Sequence, residues 1–194
     1  MTTASGRSGH LSDLPKSQPS RHAADGHRGP VGTAADTIFG KGIRIKIDDL
    51  SDTRIGEFLA DHLVDMHSTS PPESVHALDL DGLRQPAVTF WSAWDGPTLV
   101  GCVALKELDT RHAELKSMRT SPGQRRRGIG ALPLRHVLDE ARRRGYRPMS
   151  LETGSMEFFE PARALYERHG FEYCAPFADY LPDPNSVFMR IDLQ

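Results

Sequence analysis

The alternation of apolar and polar residues predicts a sheet with helices packed against it. Within residues 43–47, isoleucines alternate with polar residues, which is the period of a half-buried strand. Between Ile55 and Met66, apolar residues recur every three or four positions, as on the buried face of a helix that Ser51 can cap. Further runs of these two kinds predict a short helix over residues 75–83, strands over 88–93, 99–105 and 113–119, a long helix ending near Gly145, a strand over 149–153, a helix over 162–169, and strands over 171–174 and 187–193.

The resulting element order is β-α-α-β-β-β-α-β-α-β-β, which we assign to the α/β (α+β) class. We expect a mixed, mostly antiparallel central sheet of about seven strands flanked by helices. Short polar turns at residues 95–97 and 109–112 join the three middle strands, so these strands should be antiparallel neighbours.

Residues 1–41 differ from the rest of the chain in composition. Gly, Ser, Thr, Ala, Pro, Arg and His dominate them, and the few apolar residues follow neither a strand nor a helix period. Such a segment buries too little apolar surface to offset the entropy of ordering it, so we expect a disordered N-terminal extension. Asp13, Asp25 and Asp36 argue against a transit peptide, which is poor in acidic residues. One folded domain is predicted over residues 42–194.

The composition narrows the classes of function. A formal net charge of −2 disfavours nucleic acid or an anionic membrane as a partner, and no apolar run reaches the roughly 18 residues of a membrane span. Cys102 and Cys174 are too few for a disulfide framework, which favours reduced thiols in a cytoplasmic protein. The nine histidines show no paired spacing of the kind that zinc sites use, so we predict no metal site.

The sharpest chemical signal lies between the fourth predicted strand and the long helix. Gly128 and Gly130 let the backbone approach a ligand closely, and the first N–H groups of a helix have no partner within that helix. These groups and the helix dipole favour negative charge, and Arg125, Arg126 and Arg127 add cationic donors. The combination predicts a pyrophosphate-binding loop.

Other kinds of Gly-rich loop fit these residues less well. A dinucleotide fingerprint needs a third glycine, and a nucleoside triphosphate loop needs Gly-Lys-Ser/Thr, and neither is present. A run of three arginines is also typical of a solvated surface or of a nucleic-acid contact. We therefore interpret the segment as a phosphate-binding loop of another kind.

Two motifs resemble those of the GNAT superfamily of acetyltransferases. Residues 125–130, Arg-Arg-Arg-Gly-Ile-Gly, match the signature Gln/Arg-x-x-Gly-x-Gly/Ala. Residues 162–171, Ala-Arg-Ala-Leu-Tyr-Glu-Arg-His-Gly-Phe, are similar to the Ala-x-x-Leu-Tyr-x-x-x-Gly-Phe segment of the same family. The resemblance covers residues 42–194. More narrowly, several segments are similar to the YsnE-like bacterial subgroup, among them residues 70–74, 89–94 and 151–155.

The resemblance implies direct transfer of an acetyl group from acetyl-CoA, the acetyl donor, to an amine. It places the pantetheine arm of acetyl-CoA against the backbone of the fourth predicted strand, where an amide can polarise the thioester carbonyl. It places the pyrophosphate on the Gly-rich loop. The implied acetyl-CoA contacts are Met118, Arg119, Thr120, Arg125, Arg126, Arg127, Gly128, Ile129, Gly130 and Ala131. Phe159 stands where many members carry an Asn that contacts pantetheine, so another group must supply that contact.

The same resemblance implies two catalytic residues. Tyr166 is implied to face the CoA sulfur. Because free tyrosine has a pKa of about 10 and a free thiol about 8.5, we expect a hydrogen-bond donor to the departing thiolate rather than a full acid. Glu114 is implied to take the proton of the amine, provided that burial raises its pKa; an ordinary strand carboxylate is an equal alternative. Five weaker candidates could border the acceptor. Surface positions explain the first three better, and core packing explains at least one of the tryptophans equally well: His67, Glu73, His76, Trp91 and Trp94.

Several functions stay open on these residues. A small-molecule amine is the favoured acceptor, with a protein acceptor as the alternative for an enzyme. A non-catalytic acyl-CoA-binding or sensing module would keep the loop without needing Tyr166. A nucleic-acid binder would use the arginine cluster, but against the negative net charge of the chain. The sequence does not indicate the oligomeric state, and a homodimer is one arrangement compatible with it.

Overall fold

Eight strands form one mixed sheet in the computed structural model, which describes residues 36–39 and 42–194. The strands are β1 (Thr37–Phe39), β2 (Ile43–Ile47), β3 (Val88–Asp95), β4 (Thr98–Glu107), β5 (Ala113–Thr120), β6 (Pro148–Gly154), β7 (Glu172–Cys174) and β8 (Ser186–Asp192). Their order in the sheet is β1-β2-β3-β4-β5-β6-β8-β7. Within the described strands, β5 and β6 are the parallel pair and all other neighbours are antiparallel.

Over the described residues, four α-helices and three short 3₁₀ turns connect the strands. The helices are α1 (Thr53–Thr69), α2 (Leu80–Leu83), α3 (Ala131–Arg143) and α4 (Glu160–Arg168), and the turns are Pro72–Ser74, Pro122–Gln124 and Glu157–Phe159. The α1 helix is capped by Asp52, whose carboxylate accepts a hydrogen bond from the Arg54 amide, so the prediction of Ser51 as the cap was wrong.

The predicted class is confirmed, and two segments differ from their prediction. Residues 75–83 are helical only in α2, because Asp79 caps this helix by accepting a hydrogen bond from the Gly82 amide. Thr37–Phe39 was assigned to the disordered extension, but it pairs with β2 and makes the eighth strand. Three residues are too few to show an alternation in the sequence. Residues 1–35, 40 and 41 lie outside the described residues, and the domain boundary stays a prediction.

The two faces of the sheet carry separate hydrophobic clusters. Successive side chains of a strand point to opposite faces. Accordingly, Val103 and Leu105 of β4 join the cluster that contains α3 and α4, whereas Cys102 and Ala104 join the cluster that contains α1 and α2. The apolar face predicted for the long helix is buried as expected. The sheet is therefore covered by helices on both faces.

The sheet opens where β5 and β6 diverge. These strands pair over three positions, from Ala113 opposite Met149 to Leu115 opposite Leu151. On its other side β5 carries a bulge against β4, where the pairing shifts between Ala104↔Lys116 and Cys102↔Arg119, and Ser117 has a positive φ of 49°. Bulges bend a strand and re-aim its residues, and they occur often beside active sites. The bulge and the divergence together leave the second half of β5 facing an opening.

Candidate active site

The opening is a cavity of about 1000 Å³, here called the cleft. Its walls are the diverging ends of β5 and β6, the loop ahead of α3, and parts of α1 and α4. Of the ten residues that the sequence placed against acetyl-CoA, all except Arg127 line the cleft. The Arg127 guanidinium instead donates to Gln124 Oε1.

The loop ahead of α3 presents backbone N–H groups to the cleft. Within the described structure, the amides of residues 126–130 donate no backbone hydrogen bond, whereas those of Ala131 and Leu132 donate to loop carbonyls. Arg126 and Gly128 have positive φ values of 59° and 79°, and such alternation turns successive N–H groups toward one concave side, which binds anions. The free donors are therefore those of the loop rather than those of the first helical turn.

Gly130 lets this loop lie directly against β5. A Cβ atom at this position would stand 2.9 Å from Thr120 Oγ1 and 3.5 Å from Leu165 Cδ2. Only a residue without a side chain permits that approach. The contact holds the anion-binding loop beside the second half of β5, on which Met118, Arg119 and Thr120 line the cleft.

Cationic side chains surround the loop side of the cleft. Arg119 of β5 is buried, and its Nη1 lies 2.9 Å from Asp65 Oδ2 of α1. Arg125 Nη2 lies 3.8 Å from the same oxygen. One carboxylate is thus shared by two guanidinium groups, which leaves a net positive charge next to the loop and suits a phosphate ligand.

Tyr166 of α4 lines the cleft from the α3–α4 side. Its side chain is buried and packs on Phe171 with ring centroids 5.7 Å apart, and its hydroxyl makes no hydrogen bond with another described residue. Burial and, secondarily, the charge of Glu152 raise the pKa of Tyr166. The phenol therefore stays protonated at neutral pH and offers an unused donor to the cleft.

Glu114 lies elsewhere. Its carboxylate lines a neighbouring cavity of about 660 Å³, here called the side pocket, with Glu73 and the loop of residues 178–185. Glu114 is 1% exposed, accepts a hydrogen bond of 2.6 Å from the Tyr180 hydroxyl, and lies 3.3 Å from Lys116 Nζ. The structure thus places the two predicted catalytic residues in different cavities.

Lys116 lies in the wall of the cleft and contacts two residues of the side pocket, Glu114 and Tyr180. It lines the cleft, and its Nζ donates to the His76 carbonyl at 2.9 Å and to the Tyr180 hydroxyl at 2.8 Å. Ser74 and His76 line both cavities. Burial, followed by the charge of Glu114, raises the pKa of Tyr180. Lys116 could have been found in the sequence, because it lies two residues from Glu114 on the same strand face.

Glu152 of β6 is a candidate functional residue that the sequence did not indicate. It follows Leu151, the last residue that pairs with β5, and it lines the cleft. Ser186 of β8 donates a 2.7 Å hydrogen bond to its Oε1. Burial raises the pKa of Glu152, against the opposing effects of the Ser186 hydrogen bond and of Lys116. Residues 151–155 were singled out by family resemblance, but without a role for the glutamate.

The weaker sequence candidates separate into three groups. Trp91 and Trp94 are 1% and 3% exposed and line neither cavity, so the core interpretation holds for both. His67 lies exposed on α1 with Nδ1 2.7 Å from the Leu63 carbonyl. Glu73 lines the side pocket, and His76 lines both cavities.

Phe159 belongs to the wall of the cleft and packs on Gly154 of β6, which leaves no room for a Cβ there. This packing gives Phe159 a structural role in the wall of the cleft.

No helix within the described ranges is both long and apolar enough to cross a membrane. Among the described residues, no three His, Cys, Asp or Glu side chains are grouped so as to hold a metal ion. The absence of a metal cofactor stays a prediction.

Comparison with known proteins agrees with this geometry. A model of the acetyltransferase (GNAT) family matches residues 55–171. The chain is 59% identical over 147 residues to the uncharacterized N-acetyltransferase YsnE of Bacillus subtilis (strain 168), covering 76% of this chain and 97% of that protein. It is 50% identical over 149 residues to the uncharacterized N-acetyltransferase YedL of Escherichia coli (strain K12), covering 77% and 94%.

A solved structure shares the fold. A GNAT family acetyltransferase from Elizabethkingia anophelis with acetyl-CoA bound has a TM-score of 0.54 at 17% identity, over 78% of this chain and 98% of that one. The family match spans the anion-binding loop, the diverging strands and Tyr166. The resemblance to the GNAT superfamily and its YsnE-like subgroup is therefore confirmed. The chain belongs to the acetyltransferase (GNAT) family, and it is an N-acetyltransferase that uses acetyl-CoA as its acetyl donor.

Proposed function

We propose that the protein acetylates the amine of a small molecule, by direct transfer from acetyl-CoA within the cleft. The observation that carries the proposal is that three features line one cavity. They are the anion-binding loop, the half of β5 that does not pair with β6, and Tyr166.

The loop and the strand would position the donor. The amides of residues 126–130 and the arginines beside them suit the pyrophosphate of CoA. The backbone of Met118–Thr120 is available for pairing with the pantetheine arm. An amide at Met118 would donate to the thioester oxygen, whose negative charge grows as the amine attacks.

Tyr166 would stabilise the departing thiolate. Its raised pKa makes full proton transfer to sulfur less favourable, so a hydrogen bond is the role that suits it. The hydroxyl has no competing partner among the described residues. A non-catalytic acyl-CoA-binding module would have no use for such a donor.

The side pocket supports a small acceptor. Its volume of about 660 Å³ suits a metabolite-sized molecule, and Ser74 and His76 border both it and the cleft. The acceptor would enter through this pocket and present its amine past His76 and Lys116. We further propose a cytoplasmic location and a homodimer, neither of which the chemistry of the site requires.

An acceptor screen tests the proposal. Purified protein is incubated with acetyl-CoA and a panel of amines, amino acids and peptides, CoA release is followed with a thiol reagent, and products are identified by mass. We expect a small amine to gain one acetyl group. Acetylation of peptides alone would favour a protein acceptor. CoA binding without release above hydrolysis in any well would support the non-catalytic module.

A further inference from the structure

We propose that Glu152 is the catalytic base that takes the proton of the acceptor nitrogen, and that Glu114 positions Tyr180 and Lys116 instead. The inference rests on the proposed direct transfer to an amine. It replaces the role that the resemblance implied for Glu114.

The position of Glu152 at the divergence of β5 and β6 supports this role. Leu115 and Leu151 are the last paired residues of the two strands, and both pack in the cluster with α3 and α4. Because side chains alternate along a strand, Lys116 and Glu152 both point to the face of the sheet that carries α1 and α2. Lys116 does so from β5 and Glu152 from β6, on the two sides of the opening between these strands. Tyr166 and Glu152 both line the cleft, whereas Glu114 lines the side pocket.

Hydrogen bonding leaves Glu152 able to accept a proton. Ser186 occupies Oε1 at 2.7 Å, and Oε2 makes no hydrogen bond with a described residue. By contrast, Glu114 Oε1 already accepts from Tyr180 at 2.6 Å and lies 3.3 Å from Lys116 Nζ. A base must reach the proton that it abstracts, and the free oxygen in the cleft is that of Glu152.

The electrostatic environment of Glu152 raises its pKa, which strengthens it as a base. Burial is the main effect and raises its pKa, which the charge of Glu114 on β5 also does. Ser186 on β8, Lys116 on β5 and His76 in the segment after the Pro72–Ser74 turn oppose this rise. On the α4 side, the charge of Glu152 in turn raises the pKa of Tyr166, which lines the same cavity. A carboxylate with a raised pKa is a stronger base.

The transfer needs only acetyl-CoA, the acceptor, groups of the cleft and solvent. The acceptor nitrogen forms a bond to the carbonyl carbon of the acetyl group, and the bond from that carbon to sulfur breaks. The electron pair of the broken bond leaves with sulfur, which accepts the hydrogen bond of Tyr166. Before the attack, the ammonium form of the acceptor gives one proton to Glu152 Oε2, which passes it to solvent. The second proton, which nitrogen loses as the amide forms, also leaves to solvent.

Two small nucleophiles test the inference without the natural acceptor. Ethylamine is protonated at neutral pH and hydroxylamine is not. With acetyl-CoA as donor, Glu152→Gln should lower kcat/KM for ethylamine by roughly 10²–10⁴-fold, the usual contribution of a general base. The loss for hydroxylamine should be much smaller, because its nitrogen has no proton to lose before attack. CoA affinity and melting temperature should stay near those of the wild type.

A pH profile separates a base from a structural residue. Loss of the Ser186 hydroxyl removes a hydrogen bond to the ionised carboxylate, so Ser186→Ala should shift the acid limb of kcat/KM to higher pH. The same substitution in the Glu152→Gln background should not move the limb. The role of Glu152 as the base would be overturned if Glu152→Gln lowered kcat/KM equally for both nucleophiles. It would also be overturned if Ser186→Ala still shifted the acid limb of the pH profile in the Glu152→Gln variant.

The matched variant Glu114→Gln decides between the two carboxylates. A loss restricted to ethylamine in this variant, and not in Glu152→Gln, would return the role to Glu114. If the wild type releases no CoA with these nucleophiles or with any amine of the acceptor screen, the proposed transfer fails. If it releases CoA and Glu152→Gln leaves the rate with ethylamine unchanged, only the role of Glu152 fails.

Discussion

Gly130→Ala tests whether the anion-binding loop must lie against β5. The new Cβ would stand 2.9 Å from Thr120 Oγ1, closer than real Cβ contacts allow, while the backbone at Gly130 has a φ of −60° that alanine adopts easily. The substitution therefore introduces crowding without backbone strain. Overpacking of this kind costs about 1–3 kcal/mol. At about 2–4 °C per kcal/mol for a chain of this size, the melting temperature should fall by roughly 2–12 °C.

The displaced loop should also bind CoA less well. A tenfold rise in Kd corresponds to about 1.4 kcal/mol, within the range of the crowding cost, and calorimetric titration with CoA measures it. Thr120→Ala in the same chain removes the crowding atom and should restore both quantities. Thr120→Val keeps an atom at that place and should not. If Gly130→Ala binds CoA and melts like the wild type, or if Val rescues as well as Ala, the close approach is not required.

Further substitutions probe the other parts of the site. Tyr166→Phe should lower kcat about ten- to a hundredfold at nearly constant KM for acetyl-CoA, because a hydrogen bond to a charged group is worth roughly 1.5–3 kcal/mol; undiminished turnover in CoA-release kinetics would make the tyrosine a packing residue. Gly128→Asp places a side chain at φ 79° and a carboxylate beside the phosphates, so titration should find no CoA binding in a protein whose circular dichroism is unchanged. Glu114→Ala leaves Lys116 buried without its carboxylate, so urea denaturation should show a loss of about 3–5 kcal/mol, and a loss below about 1 kcal/mol would mean that the pair contributes little. Burial, then the charge of Arg119, lowers the pKa of His62 to about 4, whereas an unfolded histidine titrates near about 6.5. The unfolded chain therefore takes up this proton first as pH falls, so stability should drop by up to about 3 kcal/mol between those values, and His62→Gln should abolish that part of the acid dependence.

The sequence by itself determined the features that depend on near neighbours along the chain. The alternation around Ile43 and the apolar faces of α1 and α3 required only the periods of a strand and a helix. The loop motif of residues 125–130 could also be predicted, because its glycines, its arginines and the start of α3 are adjacent in sequence. Tyr166 was found through a second local motif. Short elements such as β1 and the helix cap at Asp52 were missed, since few residues carry their signal.

The tertiary structure decided which of these residues share a cavity. Glu114 and Tyr180 are 66 positions apart, and nothing between them predicts the hydrogen bond that holds this carboxylate away from the cleft. Glu152 reaches the cleft because β6 lies beside β5 and diverges from it after Leu151, a consequence of strand order and pairing. Such contacts form when distant segments pack around a common core, so they depend on the whole chain at once. Local patterns cannot contain them, because each segment has the same pattern whichever neighbour it meets.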